Sequence, residues 1–200
     1  MSVGDDERTQ TALLLPVLAA ERVVGTHRRE LDLAAADGIP AHVTVAFPFK
    51  PLEEIDAEDH ARLAHLGRQH GPFEIEGHRT AWFGDRVLYV EVSAAREVHA
   101  LIADVASAFP AYPPFAGDFP LAEVVPHLTV GNAAPVSALQ TAARAIDDAL
   151  PFSELVQSME LWAGPPVDGR TRPAPWTRVH SYALAPTAPT PSRSMPLSHQ

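Results

Sequence analysis

The sequence predicts an α+β fold built from two related halves, and three observations carry that expectation. Segments with helical spacing interleave with short β-branched or aromatic segments along the 200-residue chain. Several of the strand-like segments lie close enough in sequence to pair antiparallel. One short pattern, a histidine and a threonine two apart in an apolar run that follows a proline, occurs twice: Pro40-Ala-His-Val-Thr-Val-Ala-Phe47 and Val125-Pro-His-Leu-Thr-Val-Gly131.

Taken in order, the apolar run at 12–20 follows Asp5-Asp-Glu7 rather than lysines or arginines, so it lacks the charged start of a secretory signal. It is too short to span a bilayer and reads as a buried strand at 11–17. A helix follows over 19–33, interrupted by Gly25. The first histidine pattern forms a strand at 42–47, and 56–69 is helical. Strands at 72–82 and 86–93 are joined by a hairpin-like turn at Gly84-Asp85. Val98, Leu101, Ile102, Val105 and Phe109 recur at helical spacing behind a cap at Ser93, which predicts an amphipathic helix over 95–109. The second pattern forms a strand at 127–131. Pro135 opens a helix over 136–150, and strands at 154–162 and 176–184 complete the domain.

The boundaries are expected to be a flexible N-terminus at 1–10, a single domain at 11–185, and a disordered tail rich in proline and serine at 186–200. Two long loops, 110–115 and 164–175, interrupt the elements, and long loops in compact domains are disproportionately functional.

Composition narrows the function. An apolar content of 46% is ample for a core. The absence of cysteine excludes disulfides, thiol nucleophiles and thiolate-ligated metals, and fits a reducing compartment, with the cytoplasm as the expected location. A net charge of −10 argues against a broad surface for long nucleic acids, which would have to neutralise many phosphates at once. A small anion in one local pocket is compatible with that balance.

In a strand, His42 and Thr44 share one face while Val43, Val45 and Phe47 take the other, and His127 and Thr129 stand likewise against Leu128 and Val130. Residues two apart are separated by roughly 6.5–7 Å, so both side chains of a pair reach the same small group. One such pair means little in a chain with ten histidines. Two copies sharing the upstream proline, the apolar middle residue and the trailing valine mean more. They lie 85 residues apart, and similar halves facing each other bring both imidazoles to one cleft.

Imidazole titrates near pH 6.5, so one ring can accept a proton while the other donates it. A phosphodiester with an internal leaving oxygen requires those two transfers, and the threonine hydroxyls can hold its non-bridging oxygens. Arg170, Arg172 and Arg178 cluster in or beside the late loop and suit phosphate recognition. Trp82, Phe83, Trp176 and Tyr182 are candidates to stack a base, although large aromatics on strands more often belong to the core. Lys50 and Phe47 follow the first pattern but have only position in their favour. His60, His65 and His70 invite a metal reading, yet a spacing of five turns successive side chains by roughly 140° around a helix, so they share no face. No glycine-rich phosphate loop appears.

The motifs His42-Val-Thr-Val45 and His127-Leu-Thr-Val130 resemble the signature of the two-histidine (2H) phosphoesterase superfamily, and within it the bacterial 2′-5′ RNA ligase and cyclic phosphodiesterase-like proteins. The resemblance extends through LLLPV (13–17), VLYVEV (87–92), FPLAEVVPHLTVG (119–131) and WTRVHSYAL (176–184). It implies a bilobal, pseudo-twofold α+β fold with antiparallel sheets lining a central groove, helices on the outside and one motif from each lobe. It further implies a hydrolase of the phosphodiesterase type that opens 2′,3′-cyclic phosphates or related cyclic or 2′-5′ diesters. The expected catalytic pair is His42 and His127, with Thr44 and Thr129 on the phosphate and neither metal, ATP nor another cofactor. For hydrolysis His42 is assigned as acid and His127 as base. The expected partner is a small nucleotide or an RNA terminus with a cyclic phosphate, handled by a monomer without membrane or DNA. The alternative is a non-catalytic nucleotide or RNA-end binding module of the same fold, which two titratable imidazoles disfavour because binding alone does not need them.

Overall fold

The computed structural model describes residues 9–132, 134–165 and 175–185. The N-terminal residues up to 8, the stretch holding Arg170 and Arg172, and the tail from 186 lie outside the described residues.

The elements run β1 (Gln10–Pro16), α1 (Glu21–Leu31), a one-turn α2 (Leu33–Ala36), β2 (His42–Ala46) and α3 (Ala57–Gln69). They continue with β3 (Phe73–Phe83), β4 (Val87–Val92), α4 (Ala95–Ala108), β5 (His127–Asn132), α5 (Val136–Asp147), β6 (Phe152–Val156), β7 (Ser158–Gly164) and β8 (Thr177–Ala183). All strands join one antiparallel sheet in the order β6-β3-β4-β5-β2-β1-β7-β8. The centre of that order is the β5–β2 pair, and the two sides repeat one unit: β1-α1-β2 on one, β4-α4-β5 on the other. Each unit lays its helix over its neighbour's strand, α1 on β5 and α4 on β2. The fold is therefore α+β and pseudo-twofold, as expected, with the two sheets edge-joined into one at Val43↔Leu128.

The strand expected at 154–162 is two strands, and the break has a topological cause. β6 pairs with β3 at one edge of the sheet, whereas β7 pairs with β1 six positions away. In a flat sheet those positions are about 29 Å apart, yet only Gln157 links them, and one residue spans about 7 Å. The sheet must therefore curl until its ends approach.

The helices cover one face. Leu13, Leu15, Val43, Val45, Leu88, Val90, Leu128 and Val130 are all fully buried there in a single core. β1 carries an apolar run without alternation because it is buried on both sides. Leu13 and Leu15 point into the core, whereas Ala12 and Leu14 pack with Ile39 and Trp176 on the opposite face.

Local chemistry explains the starts of α2 and α3. Asp56 caps α3 through the amides of Glu58 and Asp59, and Asp59 returns a bond to the Asp56 amide, a complete capping box. The helix expected over 19–33 ends at Leu31, because Asp32 is extended and caps α2 through the amide of Ala34. Ser93 does not cap α4. Its hydroxyl instead accepts from the Glu76 amide (2.8 Å), and Ala94, in the left-handed region at φ 61°, precedes the helix.

Candidate active site

β2 and β5 lie side by side at the centre of the sheet, and each opens on its motif histidine. The antiparallel register through Val43↔Leu128 sets His42 across from Thr129 and Thr44 across from His127. Their exposure alternates as strand geometry requires: both histidines and both threonines are half-buried, while Val43, Val45, Leu128 and Val130 are fully buried. The two histidines stand on a diagonal of this quartet, about 7–8 Å apart at the backbone. A single phosphate lying over the Val43–Leu128 pair has an imidazole on each side and a hydroxyl at each remaining corner.

Both rings are held in the same way. His42 Nδ1 donates to the Pro40 carbonyl and His127 Nδ1 donates to the Val125 carbonyl, each at 2.7 Å and each two residues back along the chain. A carbonyl can only accept, so Nδ1 carries the hydrogen and Nε2 is the bare nitrogen of the neutral ring. Nε2 is then free to take a proton or, once charged, to give one.

The surroundings of the two rings differ. His127 is packed by aromatics, edge-on to Phe83 (4.9 Å between centroids) and Tyr89 (5.3 Å), which stack on each other at 4.2 Å. Behind His42 stands Arg28, a guanidinium buried in the protein. Burial and the Arg28 charge push the His42 pKa down to about 3, against the opposing bond to Pro40, with a small further contribution from His127. Burial lowers His127 as well.

A measurable consequence follows for stability. The unfolded chain protonates His42 near pH 6.5 while the folded protein does so only near 3, so the unfolded state binds more protons between those values. Stability is full above pH 6.5 and falls as the pH drops. This one group removes on the order of 2 kcal/mol between pH 7 and pH 5. Urea unfolding at both pH values is expected to show a drop smaller by that amount in His42→Gln than in the parent protein, and equal drops would refute the assignment.

A cavity of about 390 Å³ opens over the quartet and is lined by all four motif side chains. Leu14, Leu33, Ile39, Phe47 and Trp176 form an apolar side, joined by Phe115 and by the polar Asp32 and Asn132. Burial raises the carboxyl pKa of Asp32, partly offset by Arg28. Phe115 reaches the cavity through strained backbone. Phe115 and Ala116 occupy the left-handed region at φ 55° and 54°, Gly117 follows at 79°, and the Phe115 amide donates to the Phe47 carbonyl (2.9 Å). Holding two non-glycine residues there costs about 1–3 kcal/mol each, and such strain clusters at ligand sites.

The structure thus brings together His42, Thr44, His127, Thr129 and Trp176. Trp176 is a buried wall rather than an open platform: its Nε1 donates to the Pro165 carbonyl (3.0 Å), and its edge meets Phe47 at 6.1 Å. Tyr182 is not part of the site. It is buried in the helix-side core, where its hydroxyl bonds His60 Nδ1 (2.8 Å). It pairs with Met159, and that strand parity turns it away from the groove. Trp82 packs against the same core, whereas its neighbour Phe83 faces His127. Arg178 lies on β8, three strands from β2, and its guanidinium is engaged by Glu160 at 2.9 Å. Lys50 is spent on Asp59 at 2.6 Å. Position alone nominated Phe47, and only the long loop at 110–115 hinted at Phe115.

An α+β half-barrel with a histidine–threonine pair on each of two central antiparallel strands has the architecture of a two-histidine phosphoesterase. The 2′-5′ RNA ligase superfamily model matches residues 15–164, and the chain belongs to that family. Among solved structures it is similar to Escherichia coli LigT, crystallised in complex with 3′-AMP, at 21% identity and a TM-score of 0.54, covering 89% of this chain and 98% of that one. It is also similar to a phosphoesterase (21% identity, TM-score 0.53, covering 90% and 99%). The protein TT0787 of Thermus thermophilus is a third (20% identity, TM-score 0.52, covering 90% and 100%). No curated protein matches the chain. Among the described residues no helix is long and apolar enough to cross a membrane.

Proposed function

We propose that this protein opens 2′,3′-cyclic phosphates, or related cyclic or 2′-5′ diesters, on small nucleotides or RNA ends by acid–base catalysis between His42 and His127. The observation that carries the proposal is the pair of imidazoles on one diagonal, each with Nδ1 tied to a carbonyl and Nε2 left bare. One Nε2 takes a proton from the attacking water as its oxygen bonds to phosphorus. The other Nε2 gives a proton to the ribose oxygen as its bond to phosphorus breaks. Thr44 and Thr129 donate to the non-bridging oxygens, where charge builds. The two transfers balance without a further cofactor. The apolar side of the cavity suits a base, and the 3′-AMP bound by the LigT relative is a ligand of the same class. On the absence of cysteine we place the reaction in the cytoplasm.

We reverse the expected division of labour. Arg28 opposes a positive charge on His42, so His42 suits the base. A bound phosphate anion favours protonation of the imidazole with no cation behind it, which is His127.

Incubation with 2′,3′-cyclic nucleotides in excess chelator tests the reading: a monophosphate product and a bell-shaped pH–rate profile are expected. Tight binding without turnover at any pH would leave a binding module instead. Thr44→Ala and Thr129→Ala are each expected to lower kcat by about 10²-fold, the cost of losing one oxyanion donor. Unchanged kcat in both would remove the threonines from the chemistry.

A further inference from the structure

Among the described residues Arg28 is one of the largest fully buried side chains, and one of its bonds reaches the segment before His42. From α1 its Nη2 donates to Asp32 Oδ2 (2.9 Å) and its Nη1 to the Ile39 carbonyl (3.3 Å), with Glu21 Oε1 at 3.5 Å. The same Glu21 oxygen accepts the amide of Ala41 (2.5 Å). The Ile39 carbonyl and the Ala41 amide bracket Pro40, whose carbonyl takes the His42 Nδ1 hydrogen. Two side chains of one helix therefore grip both sides of the residue that sets the ring. Among the described residues Arg28 Nε is buried without a hydrogen-bond partner, so the guanidinium is held through its two Nη atoms.

At the second motif the brace is of a different kind: His99 of α4 bonds the Val124 carbonyl, beside the Val125 carbonyl that holds His127. Buried ion clusters are weak evidence for stability, because a well-packed apolar replacement often serves as well. What such a cluster supplies here is a fixed direction for one carbonyl.

We propose that Arg28, acting with Glu21, is a positioning residue: by holding Ile39 and Ala41 it aims the Pro40 carbonyl and so keeps His42 in the Nδ1–H form with Nε2 bare toward the cavity. The catalytic consequence rests on the phosphodiesterase reading, whereas the tautomer does not. The charged and titratable groups around His42 are Arg28 and Glu21 of α1, Asp32 at its end, and His127 of β5.

The test compares the parent protein with Arg28→Met, Arg28→Lys and Glu21→Gln, using ¹⁵N-labelled histidine NMR at pH 7 alongside kinetics. The parent is expected to show a neutral His42 with the hydrogen on Nδ1. R28M is expected to show a mixture of tautomers, an acid limb of kcat/KM moved up toward pH 6.5, and a kcat lower by about 10–100-fold at unchanged KM. R28K is expected to recover part of both the tautomer and the rate. A folded R28M with unmoved His42 shifts and an unmoved acid limb overturns the proposal. If R28M does not fold, R28K and E21Q decide it by the same shifts, unmoved shifts in both being fatal. A parent protein with the expected tautomer but no turnover would defeat the phosphodiesterase reading and leave the positioning intact.

Discussion

His42→Ala and His127→Ala are each expected to lower turnover of 2′,3′-cyclic nucleotides by about 10²–10⁴-fold, the usual contribution of one proton transfer in the transition state. The double variant is expected to lose little more than the worse single one, because an acid and a base serving one displacement act as a unit. Neither variant should unfold, since both rings stand on the cavity face of the sheet, away from the main core. The two variants should part company on bis(p-nitrophenyl) phosphate, whose leaving group departs without a proton. With His42 as base and His127 as acid, H127A keeps most of the parent's activity on that substrate and H42A does not. The opposite pattern would restore the expected roles, and full activity of both on cyclic nucleotides would end the two-histidine mechanism.

Gly131→Val is expected to destabilise the protein by about 1–3 kcal/mol through overpacking, although valine is otherwise favoured in strands. A β-carbon at this position would sit 2.6 Å from Leu139 Cδ2, 2.8 Å from Leu31 Cβ and 3.1 Å from the Leu31 carbonyl. The side chain of Leu139 can turn aside, but the end of α1 cannot move without lifting off β5. Because α1 carries Arg28, activity should fall along with stability. Urea unfolding of G131V at pH 7 checks the energy, and a stability equal to the parent's would show that α1 and α5 yield more readily than close packing allows.

The same glycine shows where the sequence stops being sufficient. It reads as a motif's trailing residue, and nothing local says that a helix from the other half of the chain lies against it. Tyr182 and Trp82 failed as groove candidates for a related reason. Strand parity states which residues share a face but not which face meets the helices, and in both cases that face was the core side. Strand parity put Phe47 on the face opposite His42, but β2 ends at Ala46, so the alternation stops short of Phe47 and its ring lines the cavity instead; Phe115 had no pattern, since it depends on a left-handed stretch of loop. The split of 154–162 into β6 and β7 was equally silent, being imposed by partners far away in sequence.

What the sequence by itself determined was the chemistry on offer and its repetition. Two strands each present an imidazole and a hydroxyl on one side and bury an apolar row on the other, because alternation is a property of the extended backbone. The helices at 57–69, 95–108 and 136–147 were legible for the matching reason, a 3.6-residue period that needs no partner to be read. Only the tertiary structure decided that the two strands are direct neighbours in a register setting histidine across from threonine. Only it placed a buried guanidinium behind one ring and aromatics around the other. Register, burial and long-range charge are set by which surfaces meet, and that information is shared among segments that look unrelated until the chain closes on itself.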